Sequence, residues 1–233
     1  MKRVGLIIPS SNRMVEQEMV RHFPDGVEAH VTRLRMTGDH QMSQEQLLPR
    51  VREASGALAD AKCDVIAFHC TANSMEGGPE GEAHILDAVR DGGAKQATTT
   101  ASAIRRALTV LNARRIALIT PYSQAVTEHE AAFLAEIGHP TISAKGHNLP
   151  GSDAYCVASP RFWRDKTLEA RNADADCYFI SCANTSAFSV IDELESELDR
   201  PVITSNQSVV WDTLTRIGWR DMDGCPGRLF RTQ

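Results

Sequence analysis

Asp64-Val-Ile-Ala-Phe-His-Cys70-Thr-Ala-Asn-Ser74 is answered later in the chain by Asp176-Cys-Tyr-Phe-Ile-Ser-Cys182-Ala-Asn-Thr-Ser186, each an apolar run that ends in a cysteine and opens into small polar residues. Arg3-Val-Gly-Leu-Ile-Ile-Pro-Ser-Ser-Asn12 is matched in the same way by Arg115-Ile-Ala-Leu-Ile-Thr-Pro-Tyr-Ser-Gln124. Both pairs stand 112 positions apart in a chain of 233 residues. That period is far longer than the roughly 20–50 residues of a solenoid repeat, and it predicts two α/β units facing each other across a pseudo-twofold axis. Such an axis would bring Cys70 and Cys182 to opposite walls of one cleft.

Working outward, short β-branched runs at residues 4–8, 64–68, 96–99, 115–119, 176–180 and 202–204 read as buried strands. Helical spacing of apolar positions falls at 13–22, 47–61, 101–111, 127–137, 162–171 and 209–217, with Gly138 and Gly218 as stop signals. Continuous apolar strands separated by helices mean parallel sheets. The expected fold is therefore α/β: two pseudo-symmetric Rossmann-like (flavodoxin-like) units, 1–112 with Cys70 and 113–233 with Cys182. The apolar end of Arg228-Leu-Phe230 is expected to cross back to the first unit. Ser11 or Asn12 is the expected N-cap of a helix with Glu16 and Glu18 near its positive end. Met75-Glu-Gly-Gly-Pro-Glu-Gly81 reads as a glycine-rich surface turn, with a mobile cover over the cleft as the alternative.

Composition excludes several classes. With 42% hydrophobic and 24% charged residues the chain can build an ordinary core. A net charge of −5 and no cluster of Lys and Arg argue against nucleic acid or an anionic membrane as partner. No run approaches the ~20 apolar residues of a membrane span, and the N-terminal apolar run is too short for a signal peptide. A cytoplasmic protein with its six cysteines reduced is expected.

In an open parallel sheet, ligands bind beyond the carboxyl ends of the strands. Four repeat-related loops begin there: Pro9-Ser-Ser-Asn12, Cys70-Thr-Ala-Asn-Ser74, Pro121-Tyr-Ser-Gln124 and Cys182-Ala-Asn-Thr-Ser186. Their hydroxyls and backbone N–H groups suit a carboxylate. Neither phosphate-binding glycine fingerprint, GxxxxGK[ST] or GxGxxG, occurs. Both cysteines are expected at strand-to-helix turns, where N–H donors lower a thiol pKa from about 8.5. Two thiols on opposite faces of a carbon acid can act together, one removing or adding at one face and the other delivering a proton to the opposite face. Such chemistry needs no cofactor, and the spacing does not suit zinc. Cys63, Cys156, Cys177 and Cys225 read as packed side chains. His69 reads as a packed histidine, and His147 as a possible pocket residue.

The chain resembles the aspartate/glutamate racemase superfamily, and within it the branch holding maleate cis–trans isomerase and arylmalonate decarboxylase. The resemblance covers nearly the whole chain. It rests on Gly5-Leu-Ile-Ile-Pro-Ser-Ser-Asn12 with Glu16 and Glu18, the cysteine motif at Cys70, Ala117-Leu-Ile-Thr-Pro-Tyr122, Ser181-Cys-Ala183, Trp211-Asp212 and the tail Pro226-Gly-Arg-Leu-Phe230. It implies two α/β units with the active site between them and no metal or organic cofactor. Cys70 would be the nucleophile or base and Cys182 the acid. Asn12 and Tyr122 would bind a substrate carboxylate, assisted by N–H groups around Ser10, Ser11, Thr71 and Ala183, with Pro9, Ala72, Ser123 and Asn184 completing the loops.

Two departures bear on substrate. Thr71-Ala72-Asn73-Ser74 is more polar than the loop of the isomerases, and Ser152 or Asp153 falls where some isomerases use an asparagine. The decarboxylase carries only the second-half cysteine, so Cys70 argues against a pure decarboxylase. The resemblance favours a cofactor-independent isomerase of a small dicarboxylate, maleate first, assembled as a homo-oligomer. Alternatives are an aspartate/glutamate-type or hydantoin-type racemase, with Asp153 as a candidate partner for an amino group, and an arylmalonate-type decarboxylase. A non-enzymatic two-lobed ligand-binding module is the alternative outside catalysis.

Overall fold

In the computed structural model, which describes residues 1–36 and 42–232, the strands β1 (Lys2–Pro9), β2 (Val27–Leu34), β3 (Val65–Phe68) and β4 (Ala97–Thr99) form one sheet. A second sheet holds β5 (Ile116–Thr120), β6 (Thr141–Gly146), β7 (Cys177–Ile180) and β8 (Val202–Thr204). The helices are α1 (Val15–Glu18), α2 (Gln44–Asp60), α3 (Thr71–Glu76), α4 (Gly78–Asp91), α5 (Thr100–Val110), α6 (Gln124–Glu136), α7 (Gly151–Val157), α8 (Pro160–Glu169), α9 (Ile191–Leu198), α10 (Ser205–Arg216) and α11 (Arg228–Arg231). No described helix is long and apolar enough to cross a membrane.

Every strand pairing is parallel, in the orders β2-β1-β3-β4 and β6-β5-β7-β8. Leu6 lies between Val31 and Ala67, and Leu118 between Ala144 and Phe179. From β1 the chain first winds to one side, to β2, and then to the other, to β3. The loops after β1 and β3 therefore diverge at their carboxyl ends and leave a crevice there, as do those after β5 and β7.

Alternation along β1 divides the core. Val4, Leu6 and Ile8 join an apolar cluster that continues through the second sheet, while Ile7 packs with Ile66, Phe68 and the apolar faces of α2 and α4. The six predicted strands are all present, as β1, β3, β4, β5, β7 and β8. β2 and β6 are additional: they are edge strands like β4 and β8 but half-exposed, so their sequences mix polar and apolar residues.

The glycine-rich stretch after Cys70 is helical, which corrects both readings of it as a loop. α3 runs to Glu76 and α4 starts at Gly78, whose φ of +66° breaks the axis between them. Gly77 and Gly81 give the Gln44 side chain the space that a Cβ would fill.

The two halves are joined chiefly by α10, which packs on α5 and β3. Thr98 Oγ1 donates to Asp212 Oδ2 at 2.6 Å, and Gln96 Nε2 to the Arg216 carbonyl at 2.9 Å. Asp212 is fully buried, paired with Arg106 of α5 and with Arg216 Nε at 2.8 Å, and Arg106 lies over the Trp211 ring. The tail docks on the second half, with the Gly227 N–H on Asp192 and the Arg228 N–H on Glu195, while Cys225 reaches the His22 carbonyl of the first half. Removing one partner of a buried ion pair strands the others, at a typical cost of about 3–5 kcal/mol. Asp212→Ala is expected to lower the unfolding free energy by that order, as read from urea denaturation, with little change in the denaturant slope.

Candidate active site

A cavity of about 330 Å³ opens where the four carboxyl-end loops converge. Pro9, Ser11, Asn12, Cys70, Thr71, Ala72, Tyr122, Ser123, Cys182, Ala183 and Asn184 all line it, so eleven of the twelve expected residues meet there. Ser10 does not. Its side chain turns away and its hydroxyl bonds the Met36 backbone, while its N–H is taken by the Leu34 carbonyl. The repeat signal identified the loop but not which of two adjacent serines faces inward.

Asn12 is the joint of the first loop. Its Oδ1 accepts from the N–H groups of Met14 and Val15 in the turn before α1, whose N-cap residue is Met14 rather than the expected Ser11 or Asn12, and its Nδ2 donates to the Ala183 carbonyl across the cleft at 2.9 Å. The Arg13 N–H answers by donating to Asn184 Oδ1 at 3.0 Å. Below these, Thr71 Oγ1 meets Ser205 Oγ at 2.9 Å, and the Cys182 N–H donates to the same Ser205 oxygen at 3.1 Å. The two cysteine loops are thus bonded to each other through one hydroxyl.

The cysteines are built differently. Cys70 is the N-cap residue of α3, and its thiol donates to Asn73 Oδ1 at 3.0 Å. Cys182 has φ +115°, a region that non-glycine residues avoid. It is held there by Ser205 and by the Thr185 hydroxyl on its carbonyl. No helix begins at Cys182, contrary to expectation; its sulfur instead accepts from the Asn184 N–H at 3.3 Å and from the Tyr122 hydroxyl.

The expected lowering of the thiol pKa is also overturned. Burial pushes both Cys70 and Cys182 up to about 12, and outweighs the Asn73 N–H at Cys70 and the Tyr122 and Asn184 donors at Cys182. Buried as they are, both thiols hold their protons.

Sequence reasoning missed the outer wall, where Asn73, Glu76, Val126, Asn148, Leu149 and Tyr155 complete the lining together with Gly151 and Ser152. Tyr155 packs edge-on against Tyr122, with ring centroids 5.7 Å apart. Asp153 is outside, with its side chain almost wholly exposed and paired to Arg13, so it is not a partner for a bound amino group. His147 is outside too, packed on Phe162. His69 is buried between Thr100 Oγ1 and Asn206 Oδ1, each at 2.9 Å, and burial pushes it down to about 4, which keeps it neutral as a packed bridge. Cys63 and Cys177 are buried, Cys156 and Cys225 half-buried, and none of the four lines the cavity. Among the described residues no cluster of three or more His, Cys, Asp or Glu is placed to hold a metal ion.

Residues 4–230 match the family model for arylmalonate decarboxylase. The chain belongs to the arylmalonate decarboxylase family. Within the range of this family, the chain is 28% identical over 253 residues to a maleate isomerase of Nocardia farcinica, covering 99% of this chain and 96% of that one. A maleate isomerase of Geobacillus stearothermophilus is 26% identical over 230 residues, with 91% and 90% covered. In three dimensions, a mutant Nocardia farcinica maleate cis–trans isomerase with a covalently bound succinylcysteine intermediate superposes with a TM-score of 0.90 at 23% identity, covering 100% and 99% of the two chains.

A hydrogen bond to a charged group is worth about 1.5–3 kcal/mol, so the Tyr122 hydroxyl should change the thiolate fraction of Cys182 by roughly tenfold or more. Tyr122→Phe is expected to slow alkylation of Cys182 by iodoacetamide by that factor at fixed pH. Peptide mass spectrometry should show Cys70 changing less.

Proposed function

We propose that this protein is a cofactor-independent isomerase that converts maleate to fumarate through Cys70 and Cys182, with 1–112 and 113–233 as the units that wall the cleft. The observation that carries this reading is that both thiols line one cavity whose polar groups are almost all neutral hydrogen-bond partners. Such groups can hold two carboxylates without locking them in ion pairs, and this leaves the carbon between them free to turn. The family relationship and the names of the relatives agree with it.

The chemistry follows from the two environments. Cys70 first gives up its proton to solvent, and the thiolate adds to one alkene carbon; the π pair moves to the neighbouring carbon and onto its carboxylate. Donors in the Asn12 and Tyr122 loops oppose that charge. Cys182 delivers its proton to the carbanion, and the thiolate left behind is held by the Tyr122 hydroxyl and the Asn184 N–H. The single carbon–carbon bond rotates, Cys182 takes the proton back, and the electron pair reforms the alkene as Cys70 leaves. The same loops and free thiols suit a cytoplasmic enzyme acting on a small diffusible acid.

One observation favours a second reading. Glu76 is the charged side chain at the described cavity wall, and a carboxylate there would suit an ammonium group on the substrate. A racemase of an acidic amino acid would use the same pair of thiols on opposite faces.

Proton NMR in D2O separates these readings. With maleate, fumarate is expected from the wild type, and Cys70→Ser and Cys182→Ser are each expected to lose at least about 10²-fold, the usual scale of a missing acid–base group. Deuterium entering the α-carbon of aspartate or glutamate, without fumarate, would replace the isomerase by the racemase. Carbon dioxide release from an arylmalonate that survives Cys70→Ser would replace it by a decarboxylase.

A further inference from the structure

Glu130 is a buried carboxyl beside the cleft that the scheme above leaves unused. It lies on α6, the helix that follows the Tyr122 loop, and is only 1% exposed. Its Oε2 accepts from Ser181 Oγ at 2.7 Å, and Ser181 immediately precedes Cys182. Its other oxygen, Oε1, is buried with no hydrogen-bond partner. A buried polar atom left unmatched is costly, and such groups concentrate at functional sites. At the repeat offset Ser181 corresponds to His69 and Glu130 to Glu18, whose Oε2 accepts from the Phe188 N–H rather than from a residue beside a cysteine.

The position of Glu130 matters because of what its charge reaches. Ionised, it opposes ionisation of Cys70, Cys182 and Tyr122 alike. We propose that Glu130 is a positioning residue that anchors the Cys182 turn through Ser181 and, by its own ionisation, sets how readily both cysteines give up their protons. This rests on the reading that those two cysteines are the working thiols.

Nothing else on the neighbouring elements takes that role. Among the described residues Glu130 has no ion pair. α6 packs against α3, α4, β5 and β6. The ionisable groups there are Glu76 on α3, Lys145 on β6, and Glu80, Glu82, His84, Asp87, Arg90 and Asp91 on α4, while β5 has none. All are exposed except Glu82, whose carboxylate is committed to Thr99, Ser102 and Arg105. On α6 itself Glu128, His129 and Glu136 face solvent. Burial pushes Glu130 up to about 8, against the Ser181 donor, so its charge changes within the working range of a protein.

The sign is testable without any substrate. Alkylation by iodoacetamide follows the thiolate, so its logarithm climbs steadily with pH unless a nearby group ionises. In the wild type the climb for Cys70 and Cys182 should flatten near pH 8, as Glu130 becomes negative, and then resume. Glu130→Gln should remove the flattening and react roughly tenfold faster above it, with little difference below, as expected for one charge at close range. Ser181→Ala keeps the carboxyl but takes away its donor, and should move the flattening to higher pH. Wild-type and Glu130→Gln profiles that superimpose, or a flattening unmoved by Ser181→Ala, would overturn the proposal. Maleate turnover by the same samples is a separate readout: no fumarate with the flattening intact would reject the isomerase and leave the coupling in place.

Discussion

Between the two sheets His69 bonds Asn206, Thr71 bonds Ser205 and Asn12 bonds the Ala183 carbonyl, and the spacing of the cysteine loops depends on this buried polar seam. Apolar packing alone fixes such spacing poorly, because apolar contacts carry little direction. Short hydroxyl and amide side chains do carry direction, and in a dry interior each must find its partner. Ser205 takes the Cys182 N–H and meets the Thr71 hydroxyl beside Cys70, so a shift of one loop would leave the other unsatisfied. The cleft is therefore set by the way the halves interlock, and α10 is the element that interlocks them.

Burial between the halves also explains why the thiols resist ionisation. Burial dominates at both sulfurs, and the donors around Cys182 only offset part of it. The same exclusion of water strengthens every hydrogen bond that a substrate carboxylate or a developing enediolate would receive from the loops. A wetter cleft would make thiolate more easily and stabilise the carbanion less well.

Much of this was legible in the chain. The central strands, the four carboxyl-end loops and the cysteine pair are local: a short apolar run followed by small polar residues, written twice. What was not legible is set by distant neighbours. β2 and β6 are edge strands whose mixed sequences carry no strong period. Gly77 and Gly78 looked like a loop, but they serve the close approach of Gln44 and a break between two helices. The thiol pKa values were misjudged because helix-end donors are visible in sequence, whereas burial by the opposite half is not. Glu130, in the run Thr127-Glu-His-Glu130-Ala-Ala, reads as one more acid on a polar helix face.

The two halves repeat the same strand order, yet the repeat does not make the cysteines equivalent. Cys70 caps a helix and spends its proton on Asn73, whereas Cys182 sits in a strained turn and receives hydrogen bonds at its sulfur. The segment from β6 into α7 adds Leu149, Ser152 and Tyr155 to the wall, and Tyr155 braces the Tyr122 ring whose hydroxyl reaches Cys182. One symmetric frame thus presents two chemically different thiols. In the proposed isomerisation a proton handed to the substrate by one thiol would not simply be matched by the other, and this asymmetry would let addition at one carbon and protonation at the next occur in a fixed order.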